Sequence, residues 1–261
     1  MSACTSDPPD KTSGPELVWA DEFDGASGAL PDPDRWGFET FGDGSGNQEL
    51  QCYTSVPGNT STNGEGQLVI TAIKQPGHQC VDGRTNDYTS GRITTQGKFT
   101  HRYGRLEVRA KVPPGVGTWP AFWALGADKP EVGWPAAGEI DVVEYVGRLP
   151  REASGAVHGP DAAGERWYLT RKKQAPTDLS DAYHVYSVDW SPSKIVWRLD
   201  GAVYGSVTKD DVEAAGGRWV YDHPFYLLLN LAVGGALGGE VPPTTTWPQQ
   251  YLVDYVRVYD R

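Results

Sequence analysis

Short segments of apolar or alternating residues recur along the chain between turn-forming residues, and this pattern predicts β-strands. Eight such segments are clear, at residues 68–73, 104–112, 121–125, 139–146, 184–190, 194–201, 225–233 and 251–260. In the second segment every other residue from Leu106 to Val112 is apolar, as in a strand with one exposed face. Only the segment from Thr208 to Ala215 resembles a helix, with Thr208 as its cap.

Many short strands with few helices predict an all-β fold, either a β-sandwich or a jelly roll. A chain of 261 residues suits one large β domain, which we expect at residues 16–261 after a disordered leader or linker at residues 1–15. The ten Trp and thirteen Tyr residues provide flat aromatic surface that exceeds the needs of a small core. No internal repeat and no second domain boundary are visible.

The charge of the chain restricts the partners that it can bind. A net charge of −11 without a run of Lys or Arg would repel nucleic acids and anionic membranes. No stretch approaches 18 consecutive apolar residues, so the sequence predicts no transmembrane segment. A neutral polymer such as a polysaccharide needs no charge complementarity and fits the aromatic composition better.

The cysteines indicate an exported protein. Met1-Ser2-Ala3-Cys4 resembles the end of a bacterial lipoprotein cleavage box, in which Cys4 would be lipidated; a chance cysteine in a leader is an equal alternative. The other two, Cys52 and Cys80, form an even pair, and we expect a disulfide between them because disulfides persist outside the cytoplasm. Two buried free thiols are the alternative. We therefore expect a secreted or extracytoplasmic protein.

Three carboxylates stand in the apolar segment 139–146, namely Glu139, Asp141 and Glu144. Residues two apart share one face of a strand, so Glu139 and Asp141 point to the same face. In a regular strand Glu144 would point to the other face. A one-residue β-bulge between Asp141 and Glu144 returns the third acid to the face of the first two. Folding does not require three acids on one face, so we predict catalysis, with a solvated acidic face or a cation site as alternatives.

Two carboxylates that flank a glycosidic bond can act as nucleophile and as acid/base. In a retaining mechanism they stand about 5 to 5.5 Å apart. Glu139 and Glu144 fit these two roles, and Asp141 between them would adjust how protons are distributed among the three groups.

The order of motifs along the chain resembles family 16 glycoside hydrolases, in their laminarinase-like branch. Glu139-Ile-Asp-Val-Val-Glu144 resembles the bulged active-site motif of that family. The other matching motifs are Trp19-Ala-Asp-Glu-Phe-Asp24, Asn47-Gln-Glu-Leu-Gln51, Ser90-Gly-Arg-Ile93, Tyr103-Gly-Arg-Leu-Glu107, Gly117-Thr-Trp-Pro-Ala-Phe-Trp123, Asn230-Leu-Ala-Val-Gly-Gly235 and Val253-Asp-Tyr-Val-Arg-Val-Tyr259. The resemblance covers about residues 17–260.

The resemblance implies a jelly roll of two curved antiparallel sheets with an open groove, and an endo-acting retaining hydrolase of β-1,3-glucan. Mixed-linkage β-1,3/1,4-glucan is a further expected substrate. Glu139 would be the nucleophile, Glu144 the acid/base and Asp141 the assisting acid, with His158 approaching Glu144 from the next strand. Trp119 and Trp123 would stack on sugar rings. The implied partners of the sugar hydroxyls are Asn47, Glu49, Arg92, Arg105 and Asn230.

The resemblance also implies a structural calcium ion far from the chemistry, held by Glu22, by the backbone carbonyl of Gly66 and by Asp254, whereas no cofactor is expected for catalysis. Asp254 could equally be an ordinary hydrogen-bonding acid. The chain departs from the family pattern at Cys52, where an aromatic residue is usual, and in the insertion 75–87 that carries Cys80. This departure leaves the outer sugar subsites undefined.

Other functions remain open at this point. A galactan-cleaving or transglycosylating relative would use the same acids, and a non-catalytic glucan-binding module would keep only the groove. Retention of all three acids disfavours a pure binding role, and a lectin-like structural protein would leave them unexplained. We expect a monomer, because an open groove for a long polymer needs both ends free.

Overall fold

The computed structural model describes residues 15–260, so Cys4 and the predicted leader before residue 15 lie outside the described residues. Strands dominate the described part of the chain, with three α-helices of four to six residues and one 3-10 turn. The strands are β1 (Leu17–Asp21), β2 (Gly37–Phe38), β3 (Gln51–Thr54), β4 (Thr60–Thr62), β5 (Leu68–Gln79), β6 (Thr85–Thr94), β7 (Gly104–Lys111), β8 (Thr118–Gly126), β9 (Glu139–Tyr145), β10 (Glu152–Pro160), β11 (Arg166–Gln174), β12 (His184–Ser191), β13 (Lys194–Leu199), β14 (Ala202–Thr208), β15 (Phe225–Val233) and β16 (Gln249–Tyr259). The 3-10 turn is Gly44–Gly46, and the helices are α1 (Lys129–Val132), α2 (Lys209–Ala214) and α3 (Gly235–Gly238).

The strands form two layers that meet at the β5–β6 hairpin. The first sheet has the order β11-β10-β9-β8-β15-β6, and the second sheet has the order β5-β16-β7-β12-β13-β14. Neighbours within each sheet are antiparallel, whereas the short strand β3 pairs with β6 in parallel. This curved, two-layered arrangement confirms the predicted all-β jelly roll, and each of the eight predicted segments lies in a strand.

The core lies between the two sheets and is built from the alternating apolar residues of their strands. Leu106 and Val108 of β7 are buried there, together with Val157 of β10 and Trp197 of β13. Trp197 links the layers directly, because its indole Nε1 donates a 2.8 Å hydrogen bond to the carbonyl oxygen of Asp141. The second sheet thus supports β9 from below.

Helix α2 confirms the predicted helical segment. The Thr208 hydroxyl accepts a hydrogen bond from the backbone N–H of Asp211, and the Asp211 carboxylate accepts one from the N–H of Thr208. This reciprocal pair is a capping box, which satisfies two of the backbone donors at the start of the helix. Within residues 15–260, no helix is long and apolar enough to cross a membrane.

The structure joins Cys52 and Cys80 in a disulfide, with 5.4 Å between their Cα atoms. Cys52 lies in β3, and Cys80 lies in the turn that connects β5 to β6. Two further contacts hold this turn: Asp82 accepts a hydrogen bond from the N–H of Gly42, and Asn86 donates one to its carbonyl oxygen. The insertion is therefore fastened to the segment that precedes β3.

Candidate active site

Strand β9 places the three acids at the middle of the first sheet, between β8 and β10. Its register against β8 pairs Phe122 with Val143 but Trp123 with Asp141, so one extra residue is present in β9 at this point. The register against β10 shifts at the same place. This is the predicted β-bulge, and it returns Glu144 to the face that carries Glu139 and Asp141.

We call this face of the first sheet, which points away from the core and carries Glu139, Asp141 and Glu144, the acidic face. On the opposite side of β9, Ile140, Val142 and Val143 are all buried in the core. Because the bulge directs both valines inward, burial of these apolar residues fixes the orientation of the acids. The apolar residues of β9 thus anchor the strand in the core, and its three acids point to the acidic face.

Glu139 is held by two aromatic neighbours. The indole Nε1 of Trp134 donates a 3.0 Å hydrogen bond to Glu139 Oε2, and His158 Nε2 lies 3.7 Å from Glu139 Oε1. His158 stands directly opposite Glu139 on β10, whereas Ser154 stands opposite Glu144. His158 therefore contacts Glu139 directly, and it lies close enough to Glu144 for its charge to lower the pKa of that acid.

Asp141 is the most buried of the three acids, with 3% of its surface exposed. Its Oδ2 atom lies 3.2 Å from His158 Nε2. The carboxylate of Glu144 accepts a 3.2 Å hydrogen bond from Trp119 Nε1. Each acid therefore has an indole or imidazole nitrogen within reach.

Burial shifts the protonation of this cluster. It raises the pKa of Glu139 to about 7, and the neighbouring Asp141 carboxylate adds to this rise, while His158 and Trp134 oppose it. Burial also raises the pKa of Asp141 and that of Glu144, where Asp141 and Glu139 raise it further. Three acids in one buried cluster cannot all ionise at low cost, so the cluster provides an ionised carboxylate beside protonated ones at neutral pH.

Two tryptophans of β8 flank the acids on the acidic face. Trp119 contacts Glu144, as described above, and Trp123 stands opposite Asp141. The Trp123 indole donates a 2.8 Å hydrogen bond to Asn230 Oδ1 on the neighbouring strand β15. Both indoles are half-buried, and their predicted stacking role remains a prediction.

A buried polar network extends from Trp123 toward the edge at β3. Asn230 donates to the Tyr53 hydroxyl at 3.0 Å, which donates to Glu49 Oε2 at 3.2 Å. Glu49 also accepts hydrogen bonds from Gln51 at 2.7 Å and Asn47 at 3.3 Å. The structure thus brings together the predicted binding residues Asn47, Glu49 and Asn230 on one side of the acids.

Arg92 of β6 joins the same side of the acidic face, opposite Asn230. Its guanidinium lies 4.8 Å from the ring centroid of Trp123 and 5.4 Å from that of Phe41, and its Nε pairs with Glu39 at 2.5 Å. Such stacking fixes the planar group and leaves its remaining donors oriented.

Arg105 is not brought to the acidic face. It lies on β7 in the second sheet, where its Nε donates a 2.7 Å hydrogen bond to Asp189, which also binds Arg198. The predicted substrate contact of Arg105 is therefore corrected to an ion pair on the far side of the molecule. The motif identifies a strand residue, but it does not say to which sheet the strand belongs.

Both carboxylates that were predicted to hold calcium pair with arginines in the structure. Arg257 donates to both carboxylate oxygens of Glu22, at 2.8 and 2.9 Å, and Arg109 pairs with Asp254 at 2.5 Å. Gly66 does lie close to Glu22, because a Cβ placed on it would be 3.8 Å from the carbonyl oxygen of Glu22. Calcium accepts carboxylate and backbone carbonyl oxygens alike, so the predicted site remains a prediction in which the two arginines would compete with the ion for the carboxylates.

A second grouping could hold a cation. Glu139, Asp141 and His158 offer ligand atoms within 4.8 Å of one another, the one such cluster of acids, histidines and cysteines found in residues 15–260. All three residues already belong to the candidate active site, so a metal would compete with the chemistry of the acids.

Several residues of the site were not predicted from the sequence. Trp134, five positions before Glu139, contacts the predicted nucleophile, while Tyr53 and Gln51 order Glu49. Trp134 precedes the acids in Gly133-Trp-Pro135, and a tryptophan only five positions before Glu139 was an available signal. No pattern in the sequence indicates the contacts of Tyr53, because they join strands that are distant in the chain.

The geometry supports a specific kind of reaction. A carboxylate with a pKa near neutrality, a second carboxyl group that retains its proton, and half-exposed aromatic rings on one sheet face suit acid/base and nucleophilic work on a sugar chain.

Comparison with known proteins also indicates an enzyme that acts on sugar chains. A family model described as glycosyl hydrolases family 16 matches residues 41–257. A β-glucanase of Rhodothermus marinus is 43% identical over 265 residues, which cover 97% of this chain and 88% of that protein. The structure of an endo-β-1,3-glucanase from Pyrococcus furiosus superimposes with a TM-score of 0.85 at 43% identity, covering 94% of each chain. The laminarinase catalytic domain from Thermotoga maritima gives a TM-score of 0.85 at 40% identity, covering 95% of this chain and 99% of that one.

The family model spans most of the chain, and a relative that is 43% identical covers nearly all of it. The chain therefore belongs to glycosyl hydrolases family 16.

Proposed function

We propose that this protein is an endo-acting, retaining β-1,3-glucanase that also accepts mixed-linkage β-1,3/1,4-glucan. The observation that carries the proposal is the bulge in β9, which places Glu139, Asp141 and Glu144 together on the acidic face. Similar proteins named as β-glucanase, endo-β-1,3-glucanase and laminarinase support glucan as the substrate. An open face crossed by several strands suits attack inside a long chain.

In the first step, a carboxylate oxygen of Glu139 bonds to the anomeric carbon of the sugar. The bond from that carbon to the leaving oxygen breaks, and Glu144 gives its proton to this oxygen. In the second step, water bonds to the anomeric carbon, its proton goes to Glu144, and the bond to Glu139 breaks. The configuration at the anomeric carbon is retained because it is inverted twice.

Asp141 and His158 support these steps without bonding to the sugar. Asp141 lies between the two glutamates in sequence, and its contact with His158 joins it to Glu139. A proton shared within this group stabilises an ionised Glu139 while Glu144 keeps its own proton. Trp134 holds Glu139 by its hydrogen bond to Oε2.

Two alternatives use the same site. A transglycosylating relative would accept a sugar hydroxyl in place of water, and a galactan-cleaving relative would differ only in the sugars that fit beside the acids. A non-catalytic binding module is disfavoured, because both predicted catalytic glutamates are present on the acidic face. We further propose that the protein acts outside the cytoplasm as a monomer, in keeping with its disulfide.

The product profile tests the proposed function. Wild type and Glu139→Ser would be incubated with laminarin, barley mixed-linkage glucan, cellulose and agarose, and the released sugars separated by chromatography. We expect a ladder of short oligosaccharides from laminarin, fewer from barley glucan, and none from either with Glu139→Ser. Laminarin binding by the variant, measured by affinity electrophoresis, should stay within a few-fold of wild type. Sugar release from agarose alone would contradict the proposal.

A further inference from the structure

Strand β11 carries two residues on the acidic face that the steps above do not use, Arg166 and Tyr168. The register places Tyr168 opposite His158 on β10, and His158 opposite Glu139 on β9. Three residues in one row across neighbouring strands point to the same side of a sheet. Tyr168 is therefore two strands, or about 10 Å, from the predicted nucleophile.

A continuous set of contacts connects this pair to the acids. The Tyr168 ring stacks on His158 with 5.6 Å between ring centroids and 20° between planes. The Arg166 guanidinium carbon lies 4.9 Å from the Tyr168 ring centroid and 5.7 Å from that of Trp134. Trp134 also donates a hydrogen bond to Glu139. Arg166 and Tyr168 therefore extend the candidate active site and do not form a separate patch.

These groups are open to a ligand. Trp134 is 42% and Tyr168 57% exposed, although the average Trp in a folded protein is largely buried. Within residues 15–260, no carboxylate or carbonyl group accepts a hydrogen bond or forms an ion pair with the Arg166 guanidinium. Two aromatic rings fix the position of this planar group, and its five N–H donors remain available to hydroxyl groups.

The two sides of the acids differ in character. On the side of β15, β6 and β3, the buried polar network of Asn230, Tyr53 and Glu49 can hold a sugar in one fixed orientation. The sugar that becomes bonded to Glu139 needs this fixed orientation through both steps. The released sugar must instead leave quickly, which suits the exposed side at β11.

We propose that Arg166 and Tyr168 form a subsite for the leaving portion of the glucan, with the Arg166 donors binding its hydroxyls and the Tyr168 ring packing against its apolar face. The inference rests on the proposed function, because it assumes a sugar chain that crosses the strands. It also determines the fate of the intermediate. A sugar bound in this subsite competes with water: its hydroxyl oxygen bonds to the anomeric carbon, its proton goes to Glu144, and the bond to Glu139 breaks.

The test compares a substrate that fills this subsite with one that does not. Laminarihexaose places sugars on both sides of the cleaved bond, whereas nitrophenyl β-laminaribioside places only an aryl group on the β11 side. For Arg166→Ala and for Tyr168→Ala, we expect kcat/KM on the hexaose to fall about ten times further than on the aryl substrate, which corresponds to about 1.4 kcal/mol. The ratio of transglycosylation to hydrolysis products should fall as well.

Control variants separate binding from general effects. Lys173→Ala removes a positive charge from the same strand, at a position opposite the core residue Ala153. It should change neither the ratio of kcat/KM on the two substrates nor the ratio of transglycosylation to hydrolysis products. Tyr168→Phe keeps the ring and should resemble wild type, whereas Arg166→Lys keeps the charge but loses the planar group and should resemble Arg166→Ala. Removal of Arg166 also raises the pKa of Asp141, but that change affects both substrates alike.

The outcomes are distinguishable. Equal losses on the two substrates, or ratios equal to those of Lys173→Ala, would overturn the leaving-group subsite while leaving the proposed function intact. If wild type releases products from neither substrate, the proposed function fails, and the inference that rests on it fails too.

Discussion

At the scale of the residue, the protein tolerates a costly arrangement. Glu139, Asp141 and Glu144 lie together, largely buried, and burial raises the pKa of each. The sequence predicted which face these acids share, because a period of two residues together with a bulge determines it. It could not predict their environment, since His158 and Trp134 reach Glu139 through tertiary contacts.

The pH dependence of activity follows from these shifts. Glu139 must be ionised to attack, so kcat/KM should rise with pH through an apparent pKa of about 7. Glu144 must be protonated, so activity should fall above its raised pKa and give a bell-shaped profile. The measurement is kcat/KM for nitrophenyl β-laminaribioside against pH. An ascending limb at the usual pKa of an exposed glutamate would contradict the effect of burial on Glu139.

The same shift predicts a stability effect for Glu139→Gln. The folded-state pKa of Glu139 is raised, so the folded protein binds this proton more tightly than the unfolded chain does. Wild type should therefore lose stability as pH rises from about 4.5 to about 7, by on the order of 3 kcal/mol from this group. Glu139→Gln lacks this charge, so its free energy of unfolding should not fall with it. The free energy of unfolding of the variant minus that of wild type should therefore grow over that pH range and then stay constant.

Urea unfolding of both proteins at several pH values measures this difference. Glu65→Gln, a change at an exposed glutamate, is the control and should track wild type at every pH. An advantage of Glu139→Gln that is largest at low pH would have the wrong sign and would refute the explanation.

At the scale of the element, the prediction of strands depended on their apolar pattern. Strands β7, β9 and β15 were found from sequence because their core residues alternate or run continuously. Strand β11 was missed, because it is polar and half-exposed at the edge of its sheet. The assignment of Arg105 failed for a related reason: the alternation along β7 does not reveal which of the two sheets the strand joins.

Length changes at the bulge test its role. Deletion of Val142 leaves Asp141 and the third acid two residues apart, so a regular strand keeps both on the acidic face at similar spacing. Insertion of one valine after Val143 also keeps them on one face, but it moves Glu144 about 7 Å further along the strand. We expect measurable hydrolysis of the aryl laminaribioside by the deletion variant and none by the insertion variant.

Circular dichroism and chromatographic elution would establish that both length variants are folded. The role assigned to the bulge would be wrong if a folded insertion variant retained activity while a folded deletion variant lost it.

At the scale of the whole molecule, the disulfide connects the β5–β6 hairpin to the edge of the acidic face. Cys52 lies between Gln51 and Tyr53, which both bind Glu49. The cross-link therefore supports the side of the face that holds the polar network. The sequence indicated the pairing from cysteine count and export, but its link to Glu49 required the structure.

Replacement of both cysteines tests this support. Closure of a loop of 28 residues stabilises a protein by roughly 3 kcal/mol, so Cys52→Ala with Cys80→Ala should lower the free energy of unfolding by about that amount. KM for laminarin should rise more than kcat falls, because the acids on β9 are unaffected. Wild type treated with a reducing agent is the matched control and should behave like the double variant. An unchanged KM in both would show that the cross-link does not position the network.

The central claim is that Glu139 forms a bond to the sugar during catalysis. The most direct measurement uses an activated aryl laminaribioside whose C2 hydroxyl is replaced by fluorine. The fluorine slows both steps, and the activated leaving group restores only the first, so the intermediate accumulates. Mass spectrometry of the digested protein should then find one disaccharide attached to Glu139, and none in Glu139→Ser. A label on Glu144 or Asp141, or turnover without any trapped intermediate, would contradict the account.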